Sequence, residues 1–262
     1  QRQMCIRDSV DASKGFVKEG KNNRLRACDI KRIADAIRER KPIPGFSRPV
    51  SRDEIRRNGY NLNIPRYVDS SEAAEQYDIY ATMFGGIPES EINQLQTYWD
   101  ALPSLRADLF QPKEDGSPYA AVKSKDVAEI IEENADVCNL KQTFANAFSD
   151  FSNVLHSRLI TNVSTVNEQN EQDDIADDIF NRLKPIPLVD KYVAYQALSD
   201  NWQVIAGDIE TIQSEGIDAV RVVEQAYKLV KKGDEEIEVP DGLKGRILPF
   251  ELIQHEKFQA EL

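Results

Sequence analysis

Histidine is nearly absent from this 262-residue chain, with two copies at positions 156 and 255. That excludes a His-rich metal centre. Cysteine is scarce too: three residues, at 5, 28 and 138, without regular spacing. Such usage excludes a disulfide scaffold and fits a reducing, cytoplasmic compartment. No apolar run approaches the roughly 18 residues of a membrane span. Twelve Gly and twelve Pro are too few for a collagenous or low-complexity chain. There is no GxGxxG or Walker-A loop, so no phosphate cradle is indicated. HExxH and CxxC are absent as well, which leaves no metal-ligand spacing to argue from.

What is present is charge, unevenly placed. The chain carries a formal −12, but residues 10–70 hold 15 Lys+Arg against 8 Asp+Glu, while residues 71–262 hold 16 against 36. A basic head on an acidic body suggests an anionic partner at the head and protein contacts at the body. Residues 1–9, QRQMCIRDS, resemble the in-frame translation of a sequencing adapter. On that reading the natural sequence starts near Val10, and Cys5 drops out of the argument.

The pattern along the head is short and mixed. Residues 10–13 read as the tail of a strand that lost its front half. Residues 29–40 read as a helix with Ile30, Ile33, Ala34 and Ile37 on one face, stopped by Pro42 and Pro44. Residues 46–50 form a strand. Ser51 and Glu54 make a capping box for a short helix to Arg57. Asn58-Gly59 is a turn, and the alternation over residues 60–68 predicts a strand. This stretch reads as the closing end of a larger α/β domain.

Beyond residue 70 the pattern turns helical. Ile92, Leu95, Trp99, Leu102, Leu105 and Leu109 recur at helical steps, interrupted by Pro103. Ser124 is a candidate N-cap for a helix carrying Val127, Ile130 and Ile131. One long stripe runs from Val137 through Phe144, Phe148 and Leu155 to Leu159. Ile175, Ile179 and Leu183 mark another helix, and a second long stripe runs from Leu188 through Tyr192, Tyr195 and Trp202 to Ile212. Residues 217–230 are expected to be helical, with a short strand near residues 246–248. Residues 116–118 and the polar run 167–174 read as loops. The stripes are ordinary core, or faces that pack on partner helices. The fold class is therefore mostly α, with an α/β remnant ahead of a long-helix domain.

Few residues carry recognisable chemistry. His156 reads as a helix-face residue rather than a ligand. Asp173, Asp174, Asp177 and Asp178 form a solvated face rather than a cation site. Cys28 and Cys138 read as structural, and Gly85-Gly86 as a turn. No catalytic, cofactor-binding or metal residue is expected. The candidates for DNA contact are Lys21, Arg24, Arg26, Asn61, Asn63 and Arg66, cations for phosphate and amides for phosphate or base edges. A merely solvated surface remains the alternative, because acidic residues are interleaved.

Several blocks together resemble the end of the methylase domain in modification subunits of type I restriction-modification systems. They are Val10-Asp-Ala-Ser13, Phe16-Val17, Asn22-Asn23-Arg24-Leu25, Val50-Ser-Arg-Asp-Glu-Ile55 and above all Gly59-Tyr-Asn-Leu-Asn-Ile-Pro-Arg-Tyr-Val-Asp69. The run Leu188-Val-Asp-Lys-Tyr-Val-Ala-Tyr-Gln-Ala-Leu198 with Trp202, and Gly245-Arg-Ile-Leu-Pro-Phe-Glu-Leu252, look like the tail of the same subunits.

The resemblance implies a parent that methylates adenine N6 in DNA with S-adenosylmethionine, on a base flipped out of the duplex. The family's Gly-containing cofactor turn and its Asn-Pro-Pro-aromatic motif are not in this sequence, so no catalytic residue carries over. The expectation is an inactive fragment that binds no S-adenosylmethionine. Residues 1–9 would be adapter, 10–70 the end of the methyltransferase domain and 71–262 a docking tail. Its partners would be the specificity subunit, the restriction subunit and double-stranded DNA, with no membrane. Phe144, Phe148, Leu155, Tyr192, Tyr195 and Trp202 are the candidate partner-helix residues. The alternative is a stand-alone helical adaptor that binds protein or DNA and has no activity.

Overall fold

The computed structural model describes residues 6–71, 78–113, 116–124, 126–232 and 235–247. It is mostly helical with short strands. The chain falls into two compact units, Gln1–Ser149 with Asp178–Leu198, and Asp150–Asp177 with Ser199–Leu262.

The head of the first unit opens with strand β1, Ile6–Val10. Residues 6–9 thus supply the front half of the strand that ends at Val10, and Asp11 onward turns away. A small hairpin follows, β2 (Val17–Glu19) and β3 (Asn22–Arg24). Helix α1, Ala27–Glu39, stops where Arg40 takes a left-handed φ of 52° and its N–H bonds to the Ala36 carbonyl. Strand β4, Ser47–Ser51, pairs antiparallel with β1, with Asp8 opposite Pro49. Helix α2, Arg52–Arg57, is capped as expected by the Ser51 hydroxyl, which accepts from the Glu54 N–H at 3.2 Å. The Glu54 carboxylate bonds to Arg48 at 3.0 Å.

Two expectations for the head need correction. The buried residues of α1 are Cys28, Asp29, Asp35 and Ala36, whereas Ile30 and Ile37 are exposed and Ile33 is half-buried. The inner face instead receives aromatic and polar groups. The Cys28 N–H donates to Gln196 Oε1 at 3.0 Å, and the Lys31 ammonium lies 5.9 Å from both the Phe180 and Tyr195 ring centres. Residues 60–68 are not a strand but a loop with one 3-10 turn, Ile64–Arg66. Tyr60 is left-handed and Pro65 has no N–H to give to a ladder. Val50, Tyr67 and Val68 close the head's core.

Next come α3 (Ile79–Phe84), β5 (Ile87–Pro88), α4 (Glu89–Gln94), α5 (Gln96–Ala101), α6 (Pro103–Leu109), β6 (Phe110–Pro112) and β7 (Tyr119–Val122). The strands form one antiparallel sheet, order β5-β7-β6. Gly86 is left-handed, and a Cβ there would meet the Tyr119 Cβ at 2.9 Å, so the turn requires glycine. Ile92, Trp99, Leu102, Leu105, Leu109, Ala120 and Val137 make the core, with the Trp99 indole N–H on the Ile92 carbonyl at 2.6 Å. Pro103 divides the stripe by starting α6, where its missing N–H costs nothing.

Helix α7, Val127–Glu133, is capped by Asp126 rather than Ser124, whose hydroxyl accepts from the Asp126 N–H one step earlier. The expected stripe from 137 to 159 is three pieces: α8 (Ala135–Ala147), α9 (Phe151–Leu155) and a π-helical turn, His156–Thr161.

Helix α10, Glu168–Leu183, takes in most of the run 167–174, which is therefore helix and not loop; Asn167 Oδ1 accepts from the Asn170 N–H at its start. Helix α11 is Lys191–Glu215. In the second unit Leu159, Ile175, Ala176, Trp202, Ile209, Ile212 and Ala219 are buried. Residues 217–230 are not one helix. A 3-10 turn, Ile217–Arg221, leads into β8 (Val223–Lys232), which pairs antiparallel with β9 (Glu235–Gly245). The short strand expected near 246–248 is not there: β9 ends at Gly245, Arg246 and Ile247 are bends, and Leu248 lies outside the described residues. No helix among the described residues is long and apolar enough to cross a membrane.

Candidate nucleic-acid interface

The six head residues singled out for DNA all face solvent. Lys21 and Arg24 ride on the β2–β3 hairpin, and Arg24 pairs with Glu19 at 3.2 Å. Arg26 stands at the start of α1. Its main-chain N–H and its Nε donate to Asp29 Oδ2 at 3.0 and 2.9 Å, and its Nη2 donates to Oδ1 at 3.1 Å. These bonds, led by the guanidinium, hold the Asp29 carboxyl below the usual carboxylate range even though burial opposes them. Asn61, Asn63 and Arg66 share the loop after α2. The Asn61 side chain accepts from the Asn63 N–H at 2.9 Å, which fixes the turn.

Arg26 and Asp29 also line a cavity of about 280 Å³ with Asp11, Lys14, Gly15, Arg32, Gly45, Phe46 and Ser70. Three cations and two carboxylates meet there. Hydrogen bonds from Ser70 and Ser13 hold the Asp11 carboxyl low. Arg32 lies over the Phe46 ring at 4.7 Å and near the Tyr192 ring at 5.7 Å. The Tyr192 phenol is pushed up to about 12 by burial and by Asp35. Lys14 and Arg32 were counted among the basic residues of the head but not singled out, and Phe46 was not foreseen; a cation that meets a phenylalanine from another element has no signature in a linear reading. A larger cavity of about 560 Å³ lies between Glu89, Ile92, Phe110 and Tyr119, at a distance in sequence from the basic head.

The head is the part of the chain that known proteins match. The family model of N-6 DNA Methylase matches residues 8–76. Residues 8–76 are thus similar to N-6 DNA methylases, and to type I methylase subunits among them. The methylase segment is 40% identical over 70 residues to the type I restriction enzyme MpnII methylase subunit of Mycoplasma pneumoniae, covering 27% of this chain and 13% of that protein. It is 37% identical over 73 residues to the MjaVIII methylase subunit of Methanocaldococcus jannaschii, again 27% and 13%. It is 44% identical over 57 residues to the MjaVII methylase subunit of the same organism, 22% and 10%. The aligned part of the chain thus spans about an eighth of the length of the first two relatives. No solved structure gives a significant match.

An N-6 methylase implies S-adenosylmethionine as methyl donor. The cavity in the methylase segment does not fit it. At about 280 Å³ it lies at the lower edge of the roughly 300–1,000 Å³ of small-molecule sites. Both carboxylates of the lining are already engaged, Asp29 by Arg26 and Asp11 by Ser13 and Ser70, so neither is open to the donor's sulfonium or ammonium.

The six partner-helix candidates divide by exposure. Phe144 is 43% exposed and meets half-buried Phe148 in a tilted contact with ring centres 5.1 Å apart. The Arg182 guanidinium sits near the Phe148 ring and donates to the Ala147 carbonyl at 2.6 Å. Tyr192 and Tyr195 meet Phe180 at 5.8 and 6.2 Å and so face inward, toward α1. Leu155 is half-buried and Trp202 buried. The sequence reading missed Val193, 67% exposed on α11. It falls between two inward tyrosines, where helical spacing already turns it outward.

Proposed function

We propose that this chain is part of the modification subunit of a type I restriction-modification system, whose parent methylates adenine N6 in DNA with S-adenosylmethionine. The reading rests above all on the match of residues 8–76 to methylase subunits of that kind. The chain's own share is scaffold and contact. The basic head lies along the DNA backbone through Lys21, Arg24, Arg26 and Arg66, with Asn61 and Asn63 as hydrogen-bonding groups. The helical body docks on the specificity subunit, which selects the DNA site, and joins the restriction subunit in the full complex. The chain alone transfers no methyl group.

Salt tests the DNA side of this reading. Binding of the full chain to a double-stranded oligonucleotide should weaken steeply as salt rises. Arg66→Ala should weaken it for every sequence alike and reduce the slope of log affinity against log salt by about 1. Binding that does not respond to salt, or an unchanged slope, excludes phosphate contact by Arg66.

A further inference from the structure

The loop after α2 holds one aromatic ring in an unusual way. Gly59 and Tyr60 are both left-handed, with φ of 63° and 57°. Glycine takes that conformation freely, whereas a bulky side chain does so at a cost and persists only when its surroundings insist. Here they do. The Gly59 N–H donates to the Arg56 carbonyl at 3.0 Å, the Tyr60 N–H to the Ile55 carbonyl at 2.9 Å and the Asn61 N–H to the Asn58 carbonyl at 3.1 Å. From the far side, the Tyr67 hydroxyl donates to the Asn61 carbonyl. The backbone on both sides of Tyr60 is therefore tied.

The ring that this frame presents is not used inside the fold. Tyr60 is 61% exposed, and its hydroxyl accepts a 3.4 Å bond from Arg56 Nε. Leu62, Ile64, Asn61 and Asn63 beside it are also exposed. A solvent-facing ring on a tied backbone is a stacking platform whose main chain is already ordered before a ligand arrives. Its surroundings say for what. Residues 48–66 carry five arginines against Asp53 and Glu54. Arg48 and Arg56 are paired with those two acids, while Arg52, Arg57 and Arg66 have no acidic partner among the described residues. An exposed aromatic ring with Arg56 on its hydroxyl, in a segment rich in arginines and carboxamides, matches a nucleobase with its flanking phosphates, and an apolar protein surface would leave those charges unanswered.

We infer that Tyr60 is a base-stacking residue, which packs on a nucleobase left without its partner in the DNA held by the basic head. This rests on the DNA-contact reading above and adds to it a residue and a ligand: an unpaired base rather than the phosphate backbone. The probe is a short duplex carrying 2-aminopurine opposite an abasic site, with the fully paired duplex as reference and the full chain as binder. Wild type should bind the abasic duplex more tightly and quench its fluorescence. Tyr60→Asn suits the left-handed backbone, so it should melt like wild type. It should lose about tenfold in affinity for the abasic duplex and lose the quenching. Binding to the paired duplex should not change, and Tyr60→Trp should keep both properties.

Equal binding of the abasic duplex by wild type and Tyr60→Asn, or no quenching by wild type, overturns the inference. If Arg66→Ala still weakens binding in that case, the DNA-contact reading survives it. No binding to either duplex overturns both. Loss of co-elution with the specificity subunit in Tyr60→Asn, with DNA binding intact, would make the ring a protein contact and overturn the inference as well.

Discussion

Asp29 shows how one carboxylate can serve the fold and the surface together. It is buried at the third position of α1, accepts the main-chain N–H of Arg26 and orients the Arg26 guanidinium at the edge of the head cavity. Its pKa is depressed, first by the Arg26 side chain. A depressed acid stabilises the fold fully above its unfolded value, near 3.9, and that contribution disappears as pH falls through the lower folded value. Asp29→Asn keeps the shape and removes the charge. It should cost about 1 kcal/mol at neutral pH, the usual scale of a lost cap at a helix start. Its stability should also fall less steeply than that of wild type below about pH 4. Denaturant melts at neutral and acid pH check both parts; parallel acid limbs for the two proteins would show that Asp29 is not held low. Gly15 belongs to the same arrangement, because a Cβ there would sit 3.0 Å from Asp29 Oδ1.

At the scale of elements, the junction of α6 and α8 is built on Asn134. Its Oδ1 accepts from the N–H groups of Asp136 and Val137, capping α8, while its Nδ2 donates to Ser104 Oγ at 2.9 Å and Asp108 Oδ2 at 2.7 Å. Asp136 returns the contact by accepting from the Ser104 N–H and hydroxyl, which holds its carboxyl low. Asn134 is 4% exposed, so water cannot replace it. Asn134→Ala should cost about 2 kcal/mol, the loss of a cap together with stranded partners. A change below about 0.5 kcal/mol, the scale of a neutral surface substitution, would show that the junction does not depend on it. The elements that were legible in the sequence are those where periodicity had length to work with: α1, α11 and the second half of α10, whose first half read as a polar loop. Where length was short, local chemistry decided. Tyr60, Leu62 and Ile64 alternate like a strand, yet a left-handed Tyr60 and Pro65 deny them a ladder. Val222 to Val230 fit either period, and only pairing with residues 235–245 selects the strand. The face of α1 was misread because apolar content was taken for burial, while Phe180, Tyr195 and Gln196 cover the polar side. Charge counts found the cations of the head, but not Arg32 over Phe46 or the fixed ring of Tyr60, which need backbone geometry to appear.

For the molecule as a whole, the question is which surface a partner protein can take. Tyr192 and Tyr195 are engaged with Phe180, Lys31 and Arg32 inside the first unit, and Trp202 is buried in the second. Their loss would damage the fold before it touched a partner, so they cannot report docking cleanly. Val193 can. It lies on α11 with 67% of its surface in water, between the two tyrosines that hold the helix in place. A glutamate there meets no packed neighbour, and its effect on stability should stay within about 0.5 kcal/mol. In an apolar interface the same carboxylate would be stripped of water without a partner, which costs far more. Val193→Glu should therefore melt like the wild type and fail to co-elute with a co-expressed specificity subunit. Phe144→Ala, on α8, should weaken the same complex if both exposed residues belong to the docking surface. Co-elution of Val193→Glu at wild-type level would move the specificity subunit off this face of α11 and leave the basic head and the 8–76 match untouched, because neither depends on that valine.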